Sequence, residues 1–101
     1  MNRRLVSLLI VDDDSQFVDL AINLLDALDA PLSFQVTHAE NAEAALGQLR
    51  DNRYDLVFLD NKLPGADGID VLGQIQQSVH GPQPAVIMLT ATGNEIGRAH
   101  V

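Results

Sequence analysis

Four aspartates sit where two apolar runs stop. Residues 56–59 (Leu-Val-Phe-Leu) lead into a lone carboxylate, Asp60, ahead of a Pro64-Gly65 turn, and residues 8–11 (Leu-Leu-Ile-Val) lead into Asp12, Asp13 and Asp14. Carboxylates forced together repel and raise one another's pKa unless a cation joins them. A hard divalent ion suits such a cluster, and Mg²⁺ in particular takes oxygen ligands, keeps several waters and needs only one or two protein carboxylates. Asp12, Asp13 and Asp60 fit that demand. An aspartate beside such an ion can also be a nucleophile, forming an acyl phosphate when a phosphoryl donor is held in line. Asp60, alone on its run, is the candidate. A further apolar run, residues 85–89, ends in Thr90, whose hydroxyl could meet a phosphoryl oxygen, and the backbone N–H groups of Asn61 and Ala91 could supply further donors.

Taken singly, each of these features has a plainer reading. Asp12, Asp13 and Asp14 can close a strand and cap a helix, Asp60-Asn61 can be a turn, and Thr90 can be an ordinary strand end. Their joint occurrence needs one sheet that points three strand ends the same way. Residues 5–11 read as a first buried strand, with Ser7 the only polar interruption. Asp14 or Ser15 can cap a helix whose apolar stripe is Phe17, Leu20, Ala21, Leu24, Leu25 and Leu28, ended by Asp29-Ala30-Pro31. Phe34 and Val36 alternate with Ser33, Gln35 and Thr37, which predicts a short strand at an edge.

Asn41 can cap the next helix, whose narrow stripe is Ala42, Ala45, Leu46 and Leu49. After the strand ending in Asp60 comes a loop, residues 61–67, then a helix from about Gly68 that buries Val71, Leu72 and Ile75. Gly81-Pro82-Gln83-Pro84 breaks it. The order βαβαβαβ implies parallel strands joined by right-handed crossovers. Asp12, Asp13, Asp60 and Thr90 then surround one crevice at the carboxyl ends of the strands.

Composition narrows the functions open to the chain. Its 101 residues hold at most one modest core, and 47% apolar residues with only 4% aromatic suit a compact α/β domain. A formal charge of −8 disfavours nucleic acid and anionic membrane as direct partners and favours a cation. With no cysteine there is no disulfide, thiolate site or thiol nucleophile. The basic, apolar start lacks a cleavage site and reads as a strand, and no apolar run reaches the roughly 20 residues of a membrane span, so a cytoplasmic location is expected. His38, His80 and His100 have no ligand spacing and read as surface or loop residues, and Met88 as core filler. Lys62 could reach the crevice, although solvent is the favoured direction.

In order and spacing, the segments Leu9-Ile10-Val11-Asp12-Asp13-Asp14, Asp55-Leu56-Val57-Phe58-Leu59-Asp60-Asn61-Lys62-Leu63-Pro64-Gly65-Ala66-Asp67-Gly68 and Pro84-Ala85-Val86-Ile87-Met88-Leu89-Thr90-Ala91 resemble a response-regulator receiver domain of two-component signalling. The resemblance implies a flavodoxin-like, doubly wound parallel sheet of strand order 2-1-3-4-5. It also implies that Asp60 accepts phosphate from a histidine kinase or phosphotransfer protein. Asp13 and Asp60 would then bind Mg²⁺ directly, Asp12 through water, and the Lys62 backbone carbonyl would complete the protein ligands. Thr90 would be the switch hydroxyl, and Ala91 the small residue beside the phosphate. Receiver dimerisation in a longer protein is compatible with this family.

The family pattern also has a lysine at the end of a fifth strand, and the only lysine here is Lys62. The expectation is therefore a receiver over residues 1–95 that lacks its fifth strand and last helix. Residues 96–101 can be encoded by ATC GGA AGA GCA CAC GTC, the start of a common sequencing-library adapter, and are expected to be non-native. The leading function is a phosphoacceptor switch rather than an enzyme. Alternatives are a phosphorylation-independent scaffold and a Mg²⁺-dependent phosphohydrolase, which would ordinarily carry a second acid just after the nucleophile, where Asn61 and Lys62 stand.

Overall fold

A computed structural model describes residues 4–28 and 31–89. Along the chain it has β1 (Arg4–Val11), α1 (Ser15–Asp26), β2 (Leu32–Ala39), α2 (Ala42–Asp51), β3 (Leu56–Asp60), β4 (Lys62–Leu63), β5 (Ala66–Asp67), α3 (Gly68–Ser78) and β6 (Ala85–Leu89). Four strands form one parallel sheet in the order β2-β1-β3-β6. The chain steps from β1 out to β2, then crosses back through α2 to β3 on the other side of β1. The winding therefore reverses between β1 and β3, which is where open α/β sheets leave a ligand crevice. This is the expected doubly wound sheet, and β2 is an edge strand as its alternation predicts. Residues 90–101, which include Thr90, Ala91, His100 and the expected tail, lie outside the described residues.

Side chains of the central strands alternate between two apolar layers, so both strands must be apolar throughout. Leu9, Val11, Val57 and Leu59 pack with Ala45 and Leu49 of α2 and with Val71 and Ile75 of α3. Leu8 and Ile10 pack on the other face with Val18 of α1, flanked by Phe34, Val36, Leu56 and Phe58. Each helix begins at a capping side chain. The Asp14 carboxylate accepts from the Gln16 and Phe17 amides, Asn41 Oδ1 from the Ala44 amide and Asp67 Oδ1 from the Ile69 amide. Between the two candidates for α1, the cap is therefore Asp14. Such caps satisfy amides that the first turn of a helix leaves unpaired.

Two local expectations change. The stripe of α1 is rotated: of the expected residues Ala21 and Leu25 pack inward, joined by buried Val18 and by Ile22, whereas Leu20 and Leu24 are 55% and 61% exposed and Leu28, 51% exposed, lies beyond the helix. Apolar residues occupy so much of this helix that two faces satisfy the same spacing, and the sheet selects the one carrying Val18 and Ile22. The expected loop after Asp60 contains an antiparallel ladder, pairing Lys62 with Asp67 and Leu63 with Ala66. Pro64 and Gly65 form its two-residue turn, with Gly65 at a φ of 71° that glycine adopts without strain, and Leu63 is buried.

The rotation of α1 gives a direct test by denaturant unfolding. Leu24→Gln is expected to change stability by less than about 0.5 kcal/mol, as at an ordinary surface position. Ile75→Ala, which empties a fully buried position beneath the sheet, should cost about 2–5 kcal/mol.

Candidate functional site

The site is set by strand register. Val11 of β1 stands beside Leu59 of β3, so the next residues, Asp12 just beyond the end of β1 and Asp60 at the last position of β3, stand side by side. One carboxylate oxygen from each of Asp12, Asp13 and Asp60 lies within 4.8 Å of the others. Asp12 is buried, Asp60 half-buried and Asp13 exposed. The fourth aspartate is not part of this group, because Asp14 caps α1. Its backbone amide nevertheless serves the site by donating to Asp12 Oδ1 at 2.9 Å.

Electrostatics follow from that geometry. Burial pushes the Asp12 carboxyl above the usual carboxylate range; the Asp14 amide pulls it back, and the charges of Asp60, Asp13 and Asp14 push it further up. A divalent cation among the three oxygens removes the repulsion. The donor set is all carboxylate, which suits a hard ion such as Mg²⁺.

The segment after Asp60 is fixed at both main-chain groups of Asn61. Its amide donates to the Leu89 carbonyl at the end of β6, at 2.9 Å, and its carbonyl accepts from the Gly68 amide at the start of α3, at 3.0 Å. The Asn61 amide, expected as a phosphoryl donor, is thus committed to the sheet. The next amide, that of Lys62, instead donates to Asp60 Oδ1 at 3.2 Å, which makes it the main-chain donor turned toward the site. The Lys62 side chain is exposed, the direction favoured for it. Gly68 lies so close beneath Asn61 that a Cβ there would meet Met88 Cε at 2.8 Å and Asn61 Cα at 2.9 Å.

One residue with no expected role enters the site from β2. His38 Nε2 lies 2.6 Å from the Asp12 carbonyl oxygen. A signal for it existed in the sequence: His38 continues the alternation of Phe34 and Val36, which turns it toward the face that carries α1.

A parallel α/β sheet with an acid-lined crevice at its reversal point defines a broad class, and comparison with known proteins narrows it. The family model of the response regulator receiver domain matches residues 8–101. The chain is 41% identical over 91 residues to the transcriptional regulatory protein CpxR of Klebsiella pneumoniae subsp. pneumoniae (strain HS11286), covering 90% of this chain and 36% of that protein. It is 35% identical over 91 residues to the transcriptional regulatory protein ResD of Bacillus subtilis (strain 168), covering 90% and 35%. Among solved structures, a CheY-like receiver domain from Methylobacillus flagellatus aligns with a TM-score of 0.78 at 24% identity, covering 93% of this chain and 76% of that one. The bacteriophytochrome response regulator AtBRR aligns with a TM-score of 0.73 at 28% identity, covering 89% and 69%. The chain belongs to the response regulator receiver domain family. It spans about a third of the length of the curated relatives it matches. Among the described residues, no helix is long and apolar enough to cross a membrane.

Two outcomes are expected from this geometry. The raised Asp12 pKa means that the folded state binds a proton more readily than the unfolded chain, so without divalent cation stability falls as pH rises through the folded value. Asp12→Asn, which keeps an oxygen for the Asp14 amide, should flatten that dependence and melt higher than the parent at neutral pH in a chelator. Gly68→Ala should destabilise the fold by about 1–3 kcal/mol in denaturant unfolding, since Asn61 cannot retreat without breaking its bond to Leu89.

Proposed function

We propose that this domain is a phosphoacceptor switch in which Asp60 takes a phosphoryl group from the phosphohistidine of a histidine kinase or phosphotransfer protein. The observation that carries this reading is the convergence of the Asp12, Asp13 and Asp60 carboxylates within 4.8 Å at the reversal point of the sheet. On this reading Asp13 and Asp60 would hold Mg²⁺ directly and Asp12 through a water, and the Lys62 backbone carbonyl would add a further oxygen. When bound, the ion neutralises charge on the phosphoryl oxygens.

An Asp60 carboxylate oxygen forms the new bond to phosphorus as the donor's P–N bond breaks. The electron pair of that bond returns to the donor imidazole nitrogen, which takes up a proton from water. The Lys62 amide, already directed at Asp60 Oδ1, is the main-chain donor for a phosphoryl oxygen, a role the Asn61 amide leaves open by bonding Leu89. Asn61 contributes by fixing the peptide between them. Thr90, which lies outside the described residues, supplies the switch hydroxyl in this proposal, and Ala91, also outside them, the space beside the phosphate. Residues 1–95 form the receiver and 96–101 a non-native tail, an assignment that native codons in an independent read of the locus would overturn.

Incubation with acetyl phosphate and Mg²⁺ should add one HPO₃ unit, seen by intact-mass spectrometry, and none to Asp60→Asn or in the presence of a chelator. Steady phosphomonoester turnover lost on Asp60→Ala would assign a phosphohydrolase instead, and no mass gain in the chain completed with its fifth strand and lysine would favour a scaffold. Mg²⁺ at about a hundred times its dissociation constant should stabilise the fold by about 2.7 kcal/mol. Asp13→Asn should remove that gain in a thermal melt.

A further inference from the structure

Asp12 is held at three points besides its covalent neighbours. Its amide donates to the Ala39 carbonyl at 3.0 Å, its Oδ1 accepts from the Asp14 amide at 2.9 Å, and its own carbonyl lies 2.6 Å from His38 Nε2. A carbonyl oxygen can only accept, so Nε2 carries the hydrogen and donates it. Both residues of β2 that make these bonds stand at its carboxyl end, in register with Ile10 and Val11 of β1. The edge strand therefore clamps the first residue that leaves the central strand.

The bond from His38 falls on one particular peptide group. The Asp12 carbonyl belongs to the same rigid plane as the Asp13 amide, so fixing that oxygen fixes the direction in which Asp13 leaves the turn. Asp12 is only 7% exposed, which leaves its carbonyl little access to water if the imidazole is removed. Asp13 is exposed and has no helix or strand of its own to orient it. We propose that His38 is a positioning residue: through the Asp12–Asp13 peptide it presets the two carboxylates at the end of β1 for the divalent ion. This rests on reading the acid trio as a cation site. Groups beyond the ligands that fix ligand orientation typically alter metal affinity 10–100-fold.

The test is Mn²⁺ or Mg²⁺ binding, by electron paramagnetic resonance or calorimetry, to the unphosphorylated chain and its variants. His38→Ala should weaken binding on the order of tenfold, and His38→Gln, whose side-chain N–H can donate to the same carbonyl, should recover most of the loss. His38→Met, with comparable bulk and no donor, should behave as His38→Ala does. Parent and His38→Ala binding the cation equally would overturn the role of His38 and leave the cation site standing. A parent that binds neither ion would overturn the cation reading itself. Should the variants fail to fold, the ¹⁵N spectrum of the parent imidazole decides: a protonated, exchange-protected Nε2 supports the tether, and an Nε2 that carries no hydrogen overturns it.

Discussion

Everything at the crevice depends on the locked register between β1 and β3. Val11 and Leu59 are neighbours inside a sheet covered on both sides, and their successors are both acids. Slipping that register by one residue would exchange the two apolar layers, moving Leu9 and Val11 off the α2 and α3 side and Leu8 and Ile10 off the α1 side. Packing therefore holds together two carboxylates that electrostatics would separate. The apolar core works against the charge of the site.

The aspartates of the first strand end divide their tasks through hydrogen bonding rather than through identity. Asp14 satisfies the amides that open α1, and its own amide binds Asp12. Asp12 faces the interior and carries the burial penalty, while Asp13 remains exposed. Three adjacent residues of one type thus become a helix cap, a buried acid and an open acid. The β4–β5 ladder does comparable work after Asp60: burying Leu63 anchors the segment that turns the Lys62 amide toward the carboxylate.

Much of this was legible in sequence because it depends on strong local signals. Apolar runs ending in acid located β1 and β3, the turn and capping residues located the helices, and their alternation dictated a parallel sheet with the acids at one end. What sequence could not supply was orientation within an element. In α1, Leu20 and Leu24 keep helical spacing as well as Val18, Ile22 and Leu25 do, and only contact with Leu8 and Ile10 separates the two sets. Adjacent amides posed the same difficulty. Asn61 and Lys62 look equivalent beside Asp60, yet the β3–β6 ladder takes the first and leaves the second. His38 has no ligand spacing, and its ring binds a backbone oxygen, a partner that no motif describes.

The double attachment of Asn61 has a mechanical meaning. One peptide unit is bonded to the end of β6 and the next to the start of α3, and the residues on either side present Asp60 and the Lys62 amide. The floor of the crevice is therefore a junction of three elements with the stiffness of the sheet. For the phosphoryl transfer proposed above, the Asp60 carboxylate and the Lys62 amide already stand at fixed separation, so little ordering entropy remains to be lost there.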